Sequence, residues 1–486
     1  MTTHPTRRRF LQMTVGAGVA LLSSSSRAEE RSARQKPSNA QSSHAPAQGP
    51  LRIHPQNPRY FTDGSGKAIY LTGAHTWNNL QDIGLTNPPP AFDFEAHLNF
   101  LEKHHHNFIR LWRWELSRWT EREDQRVRYC DPHPWKRAGP SKAFDGKSRF
   151  DLHQLDPAYF DRLRARVIAA NRRGIYVSIM LFEGWGLSLA SWDSHPFNVR
   201  NNLQGINGDP NGDGKGTETH TLAIPAITRI QEVYVRRMLD TVNDLDNVLF
   251  EVANESNFAY SKDWQYHMIR YVKAYERRKP RQHLVGMTGY QRSDNTVLTN
   301  SPADWISPGG TGDTGEEGRY KSDLPAADGK KAIILDTDHI WGVGGGREWV
   351  WKSFLRGYHP IWMDPYDNSS GWEPAPENAE DVRRSLGDTR RVAERMNLAA
   401  MTPRNGLAST QYCLAHAGSE YLVYLPNGGA VTVDLSNAQG DFAVAWHNPA
   451  TGKATTSGTA PGGARREFKA PFDGDAVLYL VRATRK

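Results

Sequence analysis

The stretch Val248–Glu255 constrains the fold of this chain more than any other. It is a run of mostly apolar residues that ends in the polar pair Asn254-Glu255. Strands that are buried on both faces read as nearly continuous apolar runs, and in (β/α)8 barrels they deliver functional side chains at their C-terminal ends. Over residues 227–245, just upstream, apolar residues recur at helical spacing. The segment therefore predicts a barrel strand with a carboxylate at its mouth.

Strand and helix patterns alternate over residues 51–404, which we assign to one barrel. The clearest helix begins at an N-cap, Asp156, with Pro157 at the first helical position, and stops at Gly174. The predicted strands are Ala68–Thr72, Asn107–Arg113, Ile175–Phe182, Val248–Val252, His283–Thr288, Asp304–Ser307, Ala332–Asp336 and Pro360–Asp364. This alternation predicts an α/β fold in which a parallel eight-stranded barrel is surrounded by helices.

Two segments depart from this alternation. Between Leu51 and Tyr70 two short extended pieces flank a Gly-rich turn, which predicts a hairpin that covers the bottom of the barrel. After a predicted closing helix, Ala379–Leu398, the pattern changes to short strands separated by Pro, Asn and Gly, over residues 405–486. These strands are Glu420–Leu425, Ala430–Leu435, Phe442–Trp446 and Ala476–Arg482. Their even spacing predicts a small antiparallel β-sandwich.

The N-terminus reads as a targeting segment. Residues 1–28 contain a basic start, an apolar run from Met13 to Leu22 and a small-residue cleavage site. The pair Arg8-Arg9 before Phe-Leu resembles a twin-arginine export signal. We therefore expect export to the periplasm or the medium, with no membrane association after the signal is removed. Residues 29–50, rich in Ser, Ala, Gln and Pro, are predicted to be a disordered linker.

Charge and cysteine content narrow the range of partners. The net charge is +7, but residues 1–50 hold seven basic and two acidic residues, so the rest of the chain carries only +2. A nearly neutral body offers no basic footprint for nucleic acid. Cys130 and Cys413 are far apart in sequence and show no metal-ligand spacing, so both a disulfide and two free thiols stay open. The sequence leaves the oligomeric state open as well.

The candidate catalytic residues are two carboxylates. Cleavage of a glycosidic bond needs a carboxylic acid that protonates the leaving oxygen, and a retaining enzyme needs a nucleophilic carboxylate about 5–5.5 Å from it. Glu255 is the candidate acid/base. Asp336 and Asp338 share one side of the seventh predicted strand, across the barrel mouth. Because Asp338 lies further along, we assign it as nucleophile, and Asp336 as a group that orients it or binds a sugar hydroxyl.

Several short motifs carry a resemblance to a known family. They are Tyr60–Lys67, Tyr70–Gly73, Ile109–Trp112, Asn254-Glu255 and Trp446–Pro449. With them the chain resembles the clan of (β/α)8 glycoside hydrolases that carry Asn-Glu after the fourth strand. Within it the chain is similar to the apiosidase-like group, whose barrel precedes a β-domain labelled "putative collagen-binding". The resemblance covers Leu51–Arg482 and implies an O-glycoside hydrolase that acts on a poly- or oligosaccharide without a cofactor.

One residue departs from the pattern of that clan, which usually presents Glu as the nucleophile where this chain offers Asp338. Glu183, just past the third strand, is the competing second carboxylate, and a wider separation from Glu255 would make the enzyme inverting. Retention and inversion therefore both stay open. The departure also keeps open a non-catalytic carbohydrate- or matrix-binding protein on a degenerate barrel. A collagen-directed hydrolase would rest on the label of the tail alone.

Further mouth residues follow from the strand ends. Arg110 would hold the nucleophile ionised or form a barrel-lining ion pair, and Asn254 would bind a sugar 2-hydroxyl. Glu183 is assigned to the substrate site if it is not the second carboxylate. The remaining predicted substrate-binding residues are His75, Trp77, Trp112, Trp185, Asp336, His339 and Trp341. Several of the 15 tryptophans fall near strand ends, where aromatic faces stack on sugar rings or pack loops.

A polar loop has the spacing of a calcium site. Asp209, Asn211 and Asp213 match the first ligand positions of a calcium loop, but the twelfth position is His220, where such loops carry Glu. A structural calcium ion and a plain polar loop are both compatible with this sequence. No other metal or cofactor is expected.

Overall fold

The described part of the chain starts within the predicted linker. The computed structural model describes residues 45–120, 125–188, 190–290, 295–310 and 315–483. The predicted signal peptide, residues 1–28, lies outside the described residues, and so does the predicted linker up to residue 44. None of the described helices is long and apolar enough to cross a membrane.

Within the described residues, fifteen strands precede the closing helix. In chain order they are β1 (Arg52–Ile53), β2 (Phe61–Thr62), β3 (Gly73–His75), β4 (Asp82–Gly84), β5 (Phe108–Leu111), β6 (Arg118–Thr120), β7 (Val127–Asp131), β8 (Trp135–Lys142), β9 (Ser148–Leu155), β10 (Tyr176–Glu183), β11 (Val248–Asn254), β12 (Val285–Thr288), β13 (Trp305–Ser307), β14 (Ala332–Asp336) and β15 (His359–Met363). The helices are α1 (Phe94–Lys103), α2 (Pro157–Asn171), α3 (Pro225–Val242), α4 (Phe258–Glu276), α5 (Asn295–Thr299), α6 (Gly315–Ser322), α7 (Arg347–Leu355) and α8 (Ala379–Ala393).

Eight of these strands form a parallel barrel. Their order in the sheet is β3-β15-β14-β13-β12-β11-β10-β5, and all seven pairings are parallel. At the seam β3 and β5 approach so closely that a Cβ atom on Gly73 would lie 2.1 Å from the carbonyl oxygen of Phe108. The side chain of Asn107 bridges the same seam by accepting from Thr72 N at 2.9 Å and donating to Tyr70 O at 2.8 Å. The predicted (β/α)8 fold is confirmed.

The first barrel strand lies later in the chain than predicted. The prediction Ala68–Thr72 is wrong, because Ile69 exchanges backbone hydrogen bonds with Phe61 at 2.7 and 3.2 Å and so extends the N-terminal hairpin. The barrel strand itself is β3, which begins at Gly73. The apolar run Ala68–Thr72 lies directly before the barrel strand, but its first part pairs with the N-terminal hairpin instead.

The N-terminal hairpin closes the bottom of the barrel. Strands β1 and β2 pair antiparallel, and Leu51 and Phe61 pack in one cluster with Phe108, Leu249 and Trp305, which lie on barrel strands. All five side chains are buried. This end of the barrel is therefore filled with apolar side chains, and the polar site lies at the other end.

A long excursion between β5 and α2 builds one wall of the mouth. It contains β6, β7 and the hairpin β8-β9, and β7 also pairs with β4, from the loop after β3, to complete the three-stranded antiparallel sheet β4-β7-β6. Asp156 then accepts a hydrogen bond from Ala158 N at 3.1 Å and caps α2, as the Asp-Pro signal predicts. Because the excursion is inserted before α2, it adds to the mouth without altering the order of the barrel strands.

The C-terminal region is an antiparallel β-domain. Its strands are β16 (Thr402–Pro403), β17 (Cys413–His416), β18 (Glu420–Leu425), β19 (Ala430–Asp434), β20 (Asp441–Asn448), β21 (Lys453–Pro461), β22 (Arg465–Lys469) and β23 (Ala476–Arg482). A six-stranded sheet, β16-β17-β18-β23-β20-β21, faces the pair β19-β22 across one apolar core, which gives the predicted sandwich. Its first strand lies just before residue 405, the predicted start. Cys130 and Cys413 are both buried and free.

The β-domain packs on the barrel through α7 and α8. Trp351 and Phe354 of α7 share a buried cluster with Leu422, Tyr424 and Val477 of the β-domain. Polar contacts lie at the same interface. Arg347 pairs with Asp475 at 3.0 Å, Tyr424 donates to Asp475 at 3.0 Å, and His447 lies 3.5 Å from Asp388. The two parts of the described chain thus share one apolar interface.

Candidate active site

Arg110 on β5 is the central cation of the barrel mouth. Its guanidinium donates to both oxygens of Glu251 at 2.6 Å, so this pair is bidentate. The same group donates to Asn254 Oδ1 at 2.6 Å, and through Nη1 to Asp336 and Asp338 at 3.0 Å each. Burial lowers the pKa of Arg110, but Glu251 and the two aspartates outweigh it and raise that pKa. The guanidinium thus forms the barrel-lining ion pairs that the sequence allowed, and one of its partners is Asp338.

His75 fixes the orientation of Asp336. Because an indole nitrogen can only donate, Trp112 Nε1 donates to His75 Nδ1 at 2.6 Å, and the imidazole proton lies on Nε2. From there it donates to Asp336 Oδ1 at 2.9 Å. Burial raises the pKa of Asp336, but His75 and Arg110 hold it well below its usual value. Asp336 is therefore ionised and faces the barrel interior, beneath the mouth.

Asp338 extends past the strand into the mouth. It lies in the turn Thr337–His339 directly after β14, and its backbone N–H donates to Asp336 Oδ1 at 3.0 Å. Burial raises the pKa of Asp338 to about 6, with Arg110 acting to lower it and Asp336 to raise it. Burial also lowers the pKa of His339 to about 3, so His339 is neutral and donates to Asn254 Oδ1 at 2.9 Å.

Glu255 follows β11 in an unusual backbone conformation. Its φ is +43°, in the left-handed region that non-glycine residues rarely adopt. Burial raises the pKa of Glu255 well above its usual value, the charges of Asp338 and Glu183 raise it further, and Arg110 lowers it. Glu255 is therefore held as a neutral acid close to the ionisable carboxylate of Asp338. Left-handed backbone at a functional carboxylate is a strain that its surroundings must maintain.

Glu183, the competing second carboxylate, faces the protein. Its carboxylate accepts from the backbone N–H of Trp185 at 2.7 Å and of Gly186 at 3.3 Å. Asn254 Nδ2 donates to it at 3.4 Å, and the residue is 1% exposed. Burial raises the pKa of Glu183 to about 8. The structure therefore places Glu183 behind Asn254 and not on the surface of the cleft.

The cleft above these groups is lined with tryptophan. It has a volume of about 620 Å³, and both Glu255 and Asp338 line it, together with Asn254. The tryptophans that line it are Trp77, Trp112, Trp114, Trp185, Trp341 and Trp372. Trp372 stacks on Trp77 and Trp114 with ring centroids 5.3 and 5.2 Å apart, which makes one aromatic wall. A concave cleft in which aromatic faces meet convergent polar and charged groups is typical of a small-molecule site.

The predicted site residues thus divide into two layers. Glu255, Asp338, Asn254, Trp77, Trp112, Trp185 and Trp341 line the cleft. Arg110, His75, Asp336, His339 and Glu183 are buried beneath or behind it and hold the first group in place. The sequence interpretation missed Glu251, a carboxylate inside an otherwise apolar strand. That placement was itself a signal, because a buried carboxylate requires a partner such as Arg110.

Two groups of acidic residues were considered as cation sites. Asp336, Asp338 and His339 have ligand atoms within 4.8 Å of one another, but Arg110 Nη1 donates to both aspartates and supplies the positive charge there. In the predicted calcium loop, Asp209 accepts from the backbone N–H of Gly212 at 2.9 Å and of Gly214 at 3.0 Å.

At the twelfth position of that loop the ring of His220 is turned into the core. It is buried, and its Nδ1 lies 2.9 Å from Ser256 Oγ. The side-chain oxygen atoms of Asp209 therefore accept from backbone N–H groups of the same loop. His220, at the last expected ligand position, contacts Ser256 instead.

Comparison with known proteins supports the two-part architecture. A family profile described as "Putative collagen-binding domain of a collagenase" matches residues 401–480. No curated protein matches the sequence. Among solved structures, a glycoside hydrolase family 5 protein from Bacteroides vulgatus ATCC 8482 is similar with a TM-score of 0.59 at 13% identity, over 89% of this chain and 93% of that one.

Two further solved structures show the same similarity. A chain from Bacteroides vulgatus ATCC 8482, described as a "putative glycoside hydrolase", has a TM-score of 0.59 at 15% identity, over 90% of this chain and 83% of that one. Another, described as "Glycoside hydrolase", has a TM-score of 0.57 at 13% identity, over 90% of this chain and 98% of that one. At these identities the similarity establishes the barrel fold alone, and the chemistry must be argued from the site.

Proposed function

We propose that this chain is an exported glycoside hydrolase that cleaves O-glycosidic bonds of a poly- or oligosaccharide with retention of configuration. Glu255 is the general acid/base and Asp338 is the nucleophile. The observation that carries the proposal is that both carboxyl groups line one tryptophan-rich cleft, where the charge of Asp338 raises the pKa of Glu255. A pair of carboxyl groups with different environments is the requirement of glycoside hydrolysis.

In the first step Glu255 protonates the glycosidic oxygen while Asp338 attacks the anomeric carbon. The C–O bond to the leaving group breaks, and an ester forms between the sugar and Asp338. Arg110 keeps one oxygen of Asp338 oriented through the 3.0 Å contact to Oδ2, so the other oxygen attacks. Raised pKa values suit this step, because Glu255 stays protonated at a pH at which Asp338 is ionised.

In the second step Glu255, now a carboxylate, removes a proton from water. The water oxygen attacks the anomeric carbon, the ester bond breaks, and Asp338 returns as a carboxylate. The second inversion at the same carbon restores the starting configuration. Asn254 lines the cleft, and its amide oxygen accepts from Arg110 and His339. Its amide nitrogen donates to Glu183 and can also donate to a sugar hydroxyl.

The aromatic wall supplies binding without demanding one sugar. Trp77, Trp114 and Trp372 present stacked indole rings on one side of the cleft, and Trp341 lies among its lining residues. Apolar faces of sugar rings pack on such surfaces, and burial of apolar area contributes about 25 cal/mol per Å². Membership of the apiosidase-like group belongs to this proposal, and it is supported by the motif around Arg110.

The β-domain is proposed to be an accessory part, within a division of the chain into a barrel at 51–404 and a sandwich at 405–486. None of its residues is among those that line the described cleft. Several of its buried acidic groups contact the barrel instead, as Asp475 does with Arg347 at 3.0 Å. Chemistry is therefore assigned to the barrel alone.

Export is also part of the proposal, supported by the pair Arg8-Arg9 before an apolar run. Replacing both arginines by lysine keeps the charge and removes the twin-arginine signature. The double variant is expected to stay inside the cell, while the parent chain is recovered outside the cytoplasm with its N-terminus removed. Recovery of both forms at equal levels outside the cytoplasm would contradict this route.

A glycan panel tests the enzymatic proposal. Purified protein is screened by reducing-end detection, with Glu255→Gln as the inactive comparison and Glu373→Gln, a carboxylate on the rim of the same cleft, as the matched control. Glu255→Gln is expected to lower the rate by about 10²–10⁴ because the general acid is lost. Glu373→Gln is expected to keep most of it. Wild-type activity in Glu255→Gln would remove Glu255 from its role.

The configuration of the first-formed product decides between retention and inversion. Proton NMR during early turnover is expected to show the same anomer as in the substrate. The opposite anomer would show inversion and would contradict the assignment of Asp338 as nucleophile.

A further inference from the structure

A second buried network lies behind the catalytic turn, and the steps above do not use it. Its centre is Glu115, which is 2% exposed and pairs with Arg113 at 2.8 Å. The same carboxylate lies 3.6 Å from His195 Nε2 and 3.7 Å from His220 Nε2. Burial raises the pKa of Glu115, but Arg113 and the two histidines hold it well below its usual value. A charged carboxylate is therefore kept in the protein interior, behind the cleft.

Two contacts of this network, one made by Glu115 and one by His220, lie next to the turn at Glu255. The backbone N–H of Glu183 donates to Glu115 Oε2 at 3.4 Å. His220 Nδ1 lies 2.9 Å from the hydroxyl of Ser256, the residue directly after Glu255. The network therefore touches the ends of two neighbouring barrel strands at the point where the acid/base residue leaves its strand.

The turn at Glu255 depends on close packing. The backbone at Gly184 approaches so near that a Cβ atom there would lie 2.7 Å from Ser256 Cα and 2.9 Å from Glu255 O. The carbonyl oxygen of Ser256 accepts from Ser261 Oγ and from Gln265 Nε2, each at 3.1 Å. Left-handed backbone at Glu255 is thus held by contacts on both sides of the turn.

The histidines are rigid and their protonation is fixed by their contacts. His220 stacks on Trp264 with ring centroids 4.0 Å apart and an interplanar angle of 10°. His195 Nδ1 accepts from Phe197 N at 3.0 Å, so its proton lies on Nε2 and faces Glu115. Burial lowers the pKa of both histidines, so the charge in the network belongs to Glu115 and Arg113.

The serine, histidine and glutamate in this line are the residue types of a hydrolytic triad, but burial excludes that use. Ser256 has no exposed surface, and so its hydroxyl cannot reach a substrate. We propose instead that Glu115, His220 and Ser256 are positioning residues that fix the turn at Glu255 and thereby the direction of its carboxyl group. The kinetic consequence of this inference rests on the proposed function. Its structural consequence rests on geometry alone.

The primary test is Ser256→Ala, which removes one hydroxyl group and leaves the fold intact. Two readouts do not depend on turnover: the φ of Glu255 in a crystal structure, and the titration of its carboxyl carbon by 13C NMR, assigned with Glu255→Gln. We expect the carboxyl group to move and its pKa to fall towards the usual value. Asp338, Glu183, Arg110 and Tyr290 are the other ionisable groups that act on Glu255, or are acted on by it, and they remain in this variant.

The matched control is Ser385→Ala. Ser385 is as fully buried in α8, and its hydroxyl has no hydrogen-bond partner among the described residues. With a substrate in hand, Ser256→Ala is expected to lower kcat about 10- to 100-fold with a smaller change in KM, because a misplaced acid slows the chemical step. Ser385→Ala is expected to leave kcat, KM and the Glu255 titration at their wild-type values.

A second pair of variants tests the rest of the line. His220→Asn keeps a polar atom opposite Ser256 Oγ and is expected to retain more of kcat than His220→Leu. Glu115→Gln is compared with Glu276→Gln, since Glu276 makes an equally buried pair with His283, at 2.8 Å, before β12. Only the Glu115 variant is expected to shift the Glu255 titration.

The outcomes separate the two proposals. If Ser256→Ala leaves the φ of Glu255, its titration and kcat as in Ser385→Ala, the positioning inference is overturned, whatever the enzyme cleaves. If the wild type hydrolyses no glycan but Ser256→Ala still shifts the titration, the proposed function fails and the positioning inference stands.

Discussion

The charges at the barrel mouth set the roles of individual residues. Arg110 is one cation, and Glu251, Asp336 and Asp338 all contact it, while Glu255 is buried beside them. Buried charges need partners, so an excess of carboxyl groups over cations favours retention of protons on some of them. Asp336, which accepts from three donors, is ionised, and Glu255, which Arg110 does not contact directly, keeps its proton. The proposed division of labour between acid and nucleophile agrees with this imbalance.

The position of Asp338 explains how an aspartate can stand where the clan usually has glutamate. The side chain is one methylene shorter, but the residue lies in the turn after β14, two residues beyond Asp336, which ends the strand. The backbone at Asp338 lies in the mouth, beyond the strand end, and Asp336 fixes the turn by accepting from Asp338 N at 3.0 Å. The position of the backbone therefore compensates for the shorter side chain of Asp338.

Asp338→Ala is expected to lower kcat by at least about 10³-fold, since loss of a nucleophile elsewhere costs up to about 10⁶. Azide can enter the vacated space and attack the same carbon, which gives a glycosyl azide of inverted configuration. Glu255→Ala is the internal comparison, because azide then attacks the covalent intermediate and the product retains configuration. An azide product of the same configuration from both variants would contradict the assignment of Asp338.

The pH profile of kcat/KM should reflect the same residues. Asp338 must be ionised to attack, and its pKa is raised to about 6, so activity is expected to rise as the pH rises through about 6. Glu255 must be protonated, and its pKa is raised, so the fall on the basic side is expected well above the usual range of a carboxylic acid. Initial rates at constant ionic strength check this. An acidic limb near the usual aspartate value of about 4 would contradict the burial of Asp338.

At the scale of elements, the sequence predicted the strands that are buried on both faces. β11 begins at Val248 and β14 spans Ala332–Asp336, as predicted, because their apolar runs are continuous. The sequence did not predict strand β21. Nearly all its residues are exposed to solvent, so it shows no alternation of apolar and polar residues. A local sequence pattern identifies a strand only where the strand packs against a core and therefore carries apolar residues.

The site could be predicted in part for a related reason. Residues at strand ends, such as Glu255 and Asp338, follow from topology alone, because parallel strands present their C-terminal ends at one face. The partners of those residues do not. Arg110 and Glu251 are separated by 141 residues, and Glu115 reaches Glu183 over 68. Such contacts depend on how side chains meet inside the barrel, and no local pattern records that.

The barrel seam between β3 and β5 offers a test at the same scale. Asn107→Ala removes the side chain that bridges Thr72 N and Tyr70 O and leaves both buried backbone groups without that partner. Each such loss costs about 1–3 kcal/mol, so we expect the free energy of unfolding to fall by about 2–6 kcal/mol. Denaturant unfolding measures it, with the exposed Asn437→Ala as control. Equal stability of the two variants would show that the seam is held by other contacts.

At the scale of the whole molecule, one strand joins the two parts of the described chain. Residues of β18 alternate between faces: Tyr421, Val423 and Leu425 fill the core of the sandwich, while Leu422 and Tyr424 pack against α7. The strand is therefore buried on both sides, as a strand inside a single domain would be. We infer that the β-domain and the barrel stabilise each other and unfold together.

Leu422→Ala tests this coupling without touching the cleft. The variant leaves a cavity between Leu422 and Trp351, and such a change in a core typically costs about 2–5 kcal/mol. We expect one calorimetric transition in both wild type and variant, at a lower temperature in the variant, with kcat at room temperature unchanged. Val233→Ala, at a side chain that is 44% exposed, is the control and should leave the transition in place. Two separate transitions, with only the smaller one moved by Leu422→Ala, would mean that the barrel does not depend on the β-domain for its stability.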